Sequence, residues 1–160
     1  MPDEGEQAAA TAAACARRML AGDRVSRSLG IALVSAGEGH AALSMTVRDD
    51  MLNGFGTCHG GVLYTLADTA LSCACNSRNE RFVAHHCSMI YLRPGEPGAR
   101  LTARAVERSR AGRVGLYDVT VTDSSGAVVA EFLGHARRIG GAVIEGGIGR
   151  DDGAQAPFRA

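Results

Sequence analysis

The chain has 160 residues, 46% of them hydrophobic, and its 17 basic residues cancel its 17 acidic ones. That length suits one domain with a real core and is too short for two independent ones. The balanced charge excludes the basic footprint of a nucleic-acid binder or a polybasic membrane surface, which leaves a small molecule or another copy of the chain as the expected partner.

Tryptophan is absent while alanine, glycine and valine abound, so the core has to be packed from small aliphatic side chains. The five cysteines, Cys15, Cys58, Cys73, Cys75 and Cys87, form an odd set without a CxxC pair. The opening MPDEGEQ is acidic, unlike a secretory leader, and reduced thiols in a cytoplasmic protein are expected. Metal binding by Cys73 and Cys75 with His85 and His86 is the sharper alternative. Positions 73 and 75 diverge by about 200° on a helix, and neighbouring histidines on a strand point to opposite faces. Buried thiols and strand histidines are therefore expected, with no metal.

In chain order, residues 8–20 have the alanine-rich composition of a helix, with a frayed start and with Arg17 and Arg18 in its last turn, where cations suit the macrodipole. Residues 1–22 read as a helical extension outside the main domain. The run 31–34 and the alternation of Ala41, Leu43, Met45 and Val47 with polar or small residues predict a hairpin turning at Gly37-Glu38-Gly39, its second strand half-buried. Residues 48–58, with Asn53, Gly54 and Gly56, lack a period and read as a loop.

From Gly60, residues Leu63, Leu66, Ala67, Ala70, Leu71 and Ala74 recur at helical spacing until Asn76 and Ser77 end the helix. Strands follow at 82–93, at 100–108 with Leu101, Ala103 and Ala105 inward, at Val114, Leu116, Val119 and Val121, and at 127–139. Their turns fall at Pro94-Gly95, 109–112 and 124–126. One long helix among turn-connected strands implies an α+β fold, an antiparallel sheet with the helix on one face. No apolar run approaches the ~20 residues that span a bilayer. The domain is placed at 23–140, and the glycine-rich tail 141–160 is expected to be disordered.

The chemistry concentrates where the loop meets the helix. A helix starting at Gly60 presents unpaired N–H groups and the positive end of its dipole, and glycines at 60 and 61 leave those amides uncovered. Such an end stabilises a phosphate or the oxyanion formed when a carbonyl is attacked. Two glycines alone serve close packing equally well; Asn53, His59 and Asp68 in the same short segment favour function. Asp68 beside an apolar stripe must be solvated, paired or functional. It lies eight residues past Gly60, about 12 Å along the axis. One carbonyl cannot reach both from one chain, so a shared site requires two antiparallel copies of the helix, each lending Asp68 to the other's Gly60.

The run Asn53-Gly54-Phe55-Gly56-Thr57-Cys58-His59-Gly60-Gly61, with Leu66-Ala67-Asp68-Thr69-Ala70 and Ala74-Cys75-Asn76-Ser77, resembles the central motif of hotdog-fold acyl-CoA thioesterases. Within these the chain is most similar to the PaaI-type phenylacetyl-CoA thioesterases of phenylacetate degradation. Tyr91-Leu92-Arg93-Pro94-Gly95, the segment 113–119 and Arg138-Ile139-Gly140-Gly141 also fit, so the resemblance covers 29–141. It implies a long central helix wrapped by a curved antiparallel sheet, paired as a double hotdog and doubled again into a homotetramer. It implies hydrolysis of an acyl-CoA thioester at the dimer interface, with no cofactor beyond the coenzyme A of the substrate.

By the same resemblance, Asp68 is the nucleophile or the base for water, Gly60 the backbone donor to the thioester oxygen, and Asn53 and His59 the residues that position the reacting groups. Gly61, His85, Arg93, Pro94, Gly95, Arg110, Gly112 and Arg113 are implied to contact substrate or coenzyme A. One departure stands out. Where some relatives carry a hydroxyl on the strand after the helix to orient water, this chain reads Ala84-His85-His86-Cys87. A hotdog hydratase or dehydratase is the nearest alternative, but Asn53 cannot act as its base. A non-catalytic acyl-CoA sensor is the other, and it would have no need of Asp68.

Overall fold

The computed structural model describes residues 1 and 3–146. Helices α1 (Glu4–Gly22) and α2 (Arg24–Ser28) precede the hairpin β1 (Ala32–Gly37) and β2 (His40–Thr46). After a short 3-10 turn at Asp49–Met51 come α3 (Gly60–Cys75) and four strands, β3 (Phe82–Tyr91), β4 (Arg100–Ala111), β5 (Val114–Thr122) and β6 (Val128–Arg138). The strands form one antiparallel sheet in the order β1-β2-β4-β5-β6-β3.

Helix α3 touches all six strands. Six strands at ~4.8 Å spacing span about 24 Å, more than twice a helix diameter, so the sheet must curve around α3 to do this. The expected stripe Leu63, Leu66, Ala67, Ala70, Leu71 and Ala74 is buried against Leu43, Met45, Leu101, Ala103, Val119 and Val121. Approach is tight at Gly134, where a Cβ would stand 2.6 Å from Cδ2 of Leu71. A long helix inside a curved antiparallel sheet is the hotdog arrangement that the resemblance implied.

Several local expectations change. Helix α1 begins at Glu4 and is capped rather than frayed: Asp3 Oδ1 accepts from the Glu6 N–H at 2.7 Å while Glu6 accepts from the Asp3 N–H. Because α1 runs on to Gly22, Arg17 and Arg18 fall short of its last turn. On β5, Tyr117 points inward and is wholly buried, and Leu116 and Val114 face out. Tyr117 tolerates this burial because its hydroxyl stays satisfied, donating to Glu107 Oε2 at 2.9 Å. The outer face of β2 is also covered. Ala42 and Ser44 lie opposite Arg104 and Thr102, and Arg100 reaches across to donate to the Ser44 hydroxyl.

Residues 141–146, expected in the tail, are held by Asn79, whose side chain donates to the Ile144 carbonyl and accepts its N–H, with Val143 buried. The rest of the expected tail, 147–160, lies outside the described residues. No helix among the described residues is long and apolar enough to cross a membrane.

The two sheet edges differ. Helix α1 packs along β1, whereas among the described residues β3 is unshielded over most of its length, with Val83 and Ile90 exposed. Its ten residues, FVAHHCSMIY, include no acidic residue, lysine, arginine or proline, the usual means of blocking an open edge.

Candidate active site

The loop before α3 is organised by Asn53. Its Oδ1 accepts from the Phe55 N–H at 2.9 Å, its Nδ2 donates to the Thr57 hydroxyl at 3.1 Å, and its own N–H donates to the Thr57 carbonyl. This is an Asx-turn closing a tight polar loop. Asn53 shapes the approach to the helix chiefly by holding the loop, with one Nδ2 hydrogen left for a ligand. The loop is pinned at both sides, since Cys58 donates to the Gly95 carbonyl and His59 to that of Met51, each at 2.8 Å.

His59 is the N-cap of α3, with Nδ1 accepting from the Gly61 N–H at 2.9 Å. That bond leaves the ring proton on Nε2, which is exposed at the helix mouth. It also occupies the Gly61 amide, so Gly61 contributes the room that His59 uses and not a donor to a ligand. Gly60 differs: its N–H meets no acceptor among the described residues. The free donor at the positive end of α3 is therefore Gly60.

Tyr91, absent from the sequence-based candidates, covers this helix start. Its hydroxyl donates to the Gly60 carbonyl at 3.0 Å, and a Cβ on Gly60 would lie 3.2 Å from the phenol ring. Tyr91, Gly60, Asn53, Thr57, Arg93 and Gly95 line a cleft of about 390 Å³. Gly95 is buried for a packing reason, since a Cβ there would meet Cys58 Cβ at 2.9 Å, while Pro94 at the rim is exposed. The Arg93 guanidinium is exposed and holds the Val128 carbonyl with one nitrogen.

Asp68 does not enter that cleft. It sits two turns along α3, half-buried, and burial first, then the nearby Asp23 carboxylate, raises its pKa above the ordinary carboxylate value. Asp23 is fixed by Ser26, whose hydroxyl bonds it at 2.5 Å and meets the Thr69 hydroxyl at 3.1 Å, so the α1–α2 junction is tied to α3 beside Asp68. Tyr64 and Cys87 also lie within electrostatic reach of Asp68. Of these neighbours, Tyr64 carried a visible signal, its i, i+4 spacing from both Gly60 and Asp68. Asp23 carried none, because its approach is tertiary.

The remaining expected contacts separate. Arg110 pairs with Glu80 and lies over the Phe82 ring at 4.9 Å, Gly112 holds the β4–β5 turn at φ 56°, and Arg113 donates to the Arg138 carbonyl. This group sits at the Phe82 end of β3 and Arg93-Pro94-Gly95 follows its Tyr91 end, about 30 Å away at ~3.3 Å per residue. One chain does not unite them. A bulge between Ala84 and His86 overrides strict alternation, so the His85 and His86 rings both approach His135, at 6.3 and 5.2 Å between centroids. Neither joins the cleft. All five cysteines are free, and burial pushes Cys58 up to about 11 and Cys73 and Cys75 to about 12.

A hotdog sheet, a helix start with a free amide and a carboxylate of raised proton affinity two turns on are the kinds of group that acyl-transfer chemistry uses. The sequence pattern of the Thioesterase superfamily matches residues 55–130. The chain is 43% identical over 128 residues to acyl-coenzyme A thioesterase PaaI of Escherichia coli K12, covering 80% of this chain and 91% of that one. The solved E. coli PaaI structure superposes with a TM-score of 0.82, covering 84% of this chain and 97% of that chain at 42% identity. The TT0310 protein from Thermus thermophilus gives 0.70 at 42% identity, over 73% and 98%. The chain belongs to the PaaI-type, hotdog-fold acyl-CoA thioesterases.

Proposed function

We propose that the protein hydrolyses acyl-CoA thioesters, phenylacetyl-CoA and ring-derived acyl groups foremost, at two equivalent sites shared between antiparallel protomers. The observation that carries the reading is the division of labour on α3: a free amide at Gly60 and a carboxylate about 12 Å along the axis at Asp68, unable to meet on one carbonyl within a chain. A second copy pairing β3 with β3 supplies each missing half and covers the unshielded edge. The similarity to E. coli acyl-coenzyme A thioesterase PaaI supports the substrate class, as does a Streptococcus mutans structure bound to acetyl CoA, TM-score 0.68 at 28% identity over 70% of this chain and 90% of that one.

In this reading the thioester oxygen accepts from the Gly60 N–H in the cleft under Tyr91. Asp68 of the partner takes a proton from water, the water oxygen adds to the carbonyl carbon, and the helix dipole stabilises the oxyanion. Collapse breaks the C–S bond, and the proton held by Asp68 passes to the departing thiolate, giving the free acid and the coenzyme A thiol. The raised proton affinity of Asp68 suits a base. Direct carboxylate attack, through an anhydride, is distinguished by single turnover in H2(18)O, which leaves label in Asp68 only by that route. Water and side chains suffice, and coenzyme A enters as part of the substrate. Antiparallel pairing also brings the Arg93 end of one β3 to the Arg113 end of the other, so the coenzyme A phosphates are assigned to these two arginines, with Arg110 holding its turn.

The test is hydrolysis of an acyl-CoA panel by thiol release, with sedimentation to fix the assembly. Asp68→Asn is expected to bind acyl-CoA and lose turnover. Hydrolysis at the parental rate by that variant, or full activity as a monomer, refutes the shared site, and inactivity across the panel leaves a binding protein.

A further inference from the structure

Tyr64 stands midway between Gly60 and Asp68, about 6 Å along the axis from each, and 40° steps on the helix wheel make it bisect their directions. Its ring is partly buried, packed edge-on against Phe132 at 5.1 Å between centroids and 75° between planes. Its hydroxyl lies beside the Cys87 thiol of β3. The ring is thus held in place, within one turn of each functional group, although the reaction as derived gives it no part.

Symmetry supplies its role. In a dimer that sets Gly60 against the partner's Asp68 and Asp68 against the partner's Gly60, the position on α3 that faces its own copy is the midpoint, residue 64. The seam between α3 and β3 agrees: Gly60 lies under Tyr91 and Tyr64 under Cys87, so an axis passing Tyr64 also crosses the middle of β3, where an antiparallel pairing of that edge with itself has its centre. We propose that the two Tyr64 rings meet at the two-fold axis and form the wall between the two acyl pockets, so that Tyr64 sets the size limit and the aromatic preference for the acyl group. The inference rests on the shared-site reading above. An aromatic ring carried about 6 Å along the axis from each functional group can pack an aryl group edge to face and blocks a longer chain from crossing the axis.

The test measures kcat/KM for phenylacetyl-CoA and for straight-chain acyl-CoAs of increasing length on the parental protein, Tyr64→Phe and Tyr64→Ala, with sedimentation of each. Tyr64→Phe is expected to keep the parental order. Tyr64→Ala is expected to stay dimeric and to shift the ratio of long-chain to phenylacetyl kcat/KM upward by about tenfold or more, the scale of a methylene or two in an apolar pocket. A dimeric Tyr64→Ala with the parental order, or with kcat lowered equally for every acyl group, overturns the proposal. If Tyr64→Ala fails to fold, Tyr64→Leu keeps bulk without the ring, and unchanged selectivity for phenylacetyl-CoA over hexanoyl-CoA overturns it equally. A parental protein that is dimeric and dependent on Asp68 separates these failures from failure of the shared site itself.

Discussion

The Tyr91 hydroxyl donates to the Gly60 carbonyl at 3.0 Å, so the residue proposed to offer its N–H to substrate is gripped through its C=O by the strand at the sheet edge. Tyr91→Phe removes that grip and keeps the ring. The expected cost is about 1 kcal/mol, or roughly fivefold in kcat/KM, with little change in thermal stability.

Gly60→Ala places a Cβ 3.2–3.3 Å from the phenol of Tyr91, a ring that is 50% exposed and can yield by a few tenths of an ångström. The fold should survive. A methyl group over the mouth keeps the carbonyl from the amide, and kcat is expected to fall about a hundredfold, near the effect of losing an oxyanion donor. Comparable kcat in a folded Gly60→Ala protein would contradict the assignment of that N–H.

Asp68 predicts opposite responses of activity and stability. Its folded pKa is raised, so the fold favours the protonated form: that contribution is fully present below the unfolded carboxylate pKa and is lost as pH rises through the folded value. At neutral pH the ionised side chain opposes folding. Asp68→Asn should therefore melt higher than the parental protein at pH 7, with the gap closing in acid, while turnover is lost. Melting curves at several pH values check the sign.

Asp23 supplies part of that raised affinity. Asp23→Asn keeps an N-cap for α2, since asparagine caps as well as aspartate, and removes the charge. The other titratable groups around Asp68, namely Tyr64, Cys75 and Cys87, stay in place. The acid limb of the pH profile of kcat/KM should move to lower pH but remain above the ordinary carboxylate range, because burial is the larger cause. An unmoved limb would show that Asp23 does not act on Asp68.

Gly134→Ala would drive a methyl group to 2.6 Å from Cδ2 of Leu71, a side chain that is fully buried and cannot swing aside. A loss of about 1–3 kcal/mol is expected by denaturant unfolding, as for an overpacked core. Because α3 carries both Gly60 and Asp68, kcat should drop with it.

The helix α3 and its buried stripe were legible because the apolar period of Leu63 through Ala74 is sustained and the core enforces it. The strands were legible for similar reasons, except where bulges between Glu107 and Ser109 and between Ala84 and His86 reset the alternation. Sequence spacing also separated Gly60 from Asp68. What it could not give was the use of each donor: that His59 spends the Gly61 amide, or that Arg110 is engaged by Glu80 and Phe82 from elements about 30 residues away. Partners distant in sequence leave no local period. For the same reason Asp23 and Tyr91 were not seen as neighbours of the site.

The bare β3 edge has a consequence for the life of a single chain. A freshly folded protomer carries, along ten residues, unmet backbone donors and acceptors beside exposed valine and isoleucine, the conditions under which strands add to whatever they meet. In the proposed dimer, pairing competes with aggregation for this edge, and the outcome depends on how soon a correct copy is encountered. Dilution should cost activity by dissociating the proposed dimer while slowing aggregation, and a charge placed on that edge, as in Val83→Lys, should yield a soluble monomer.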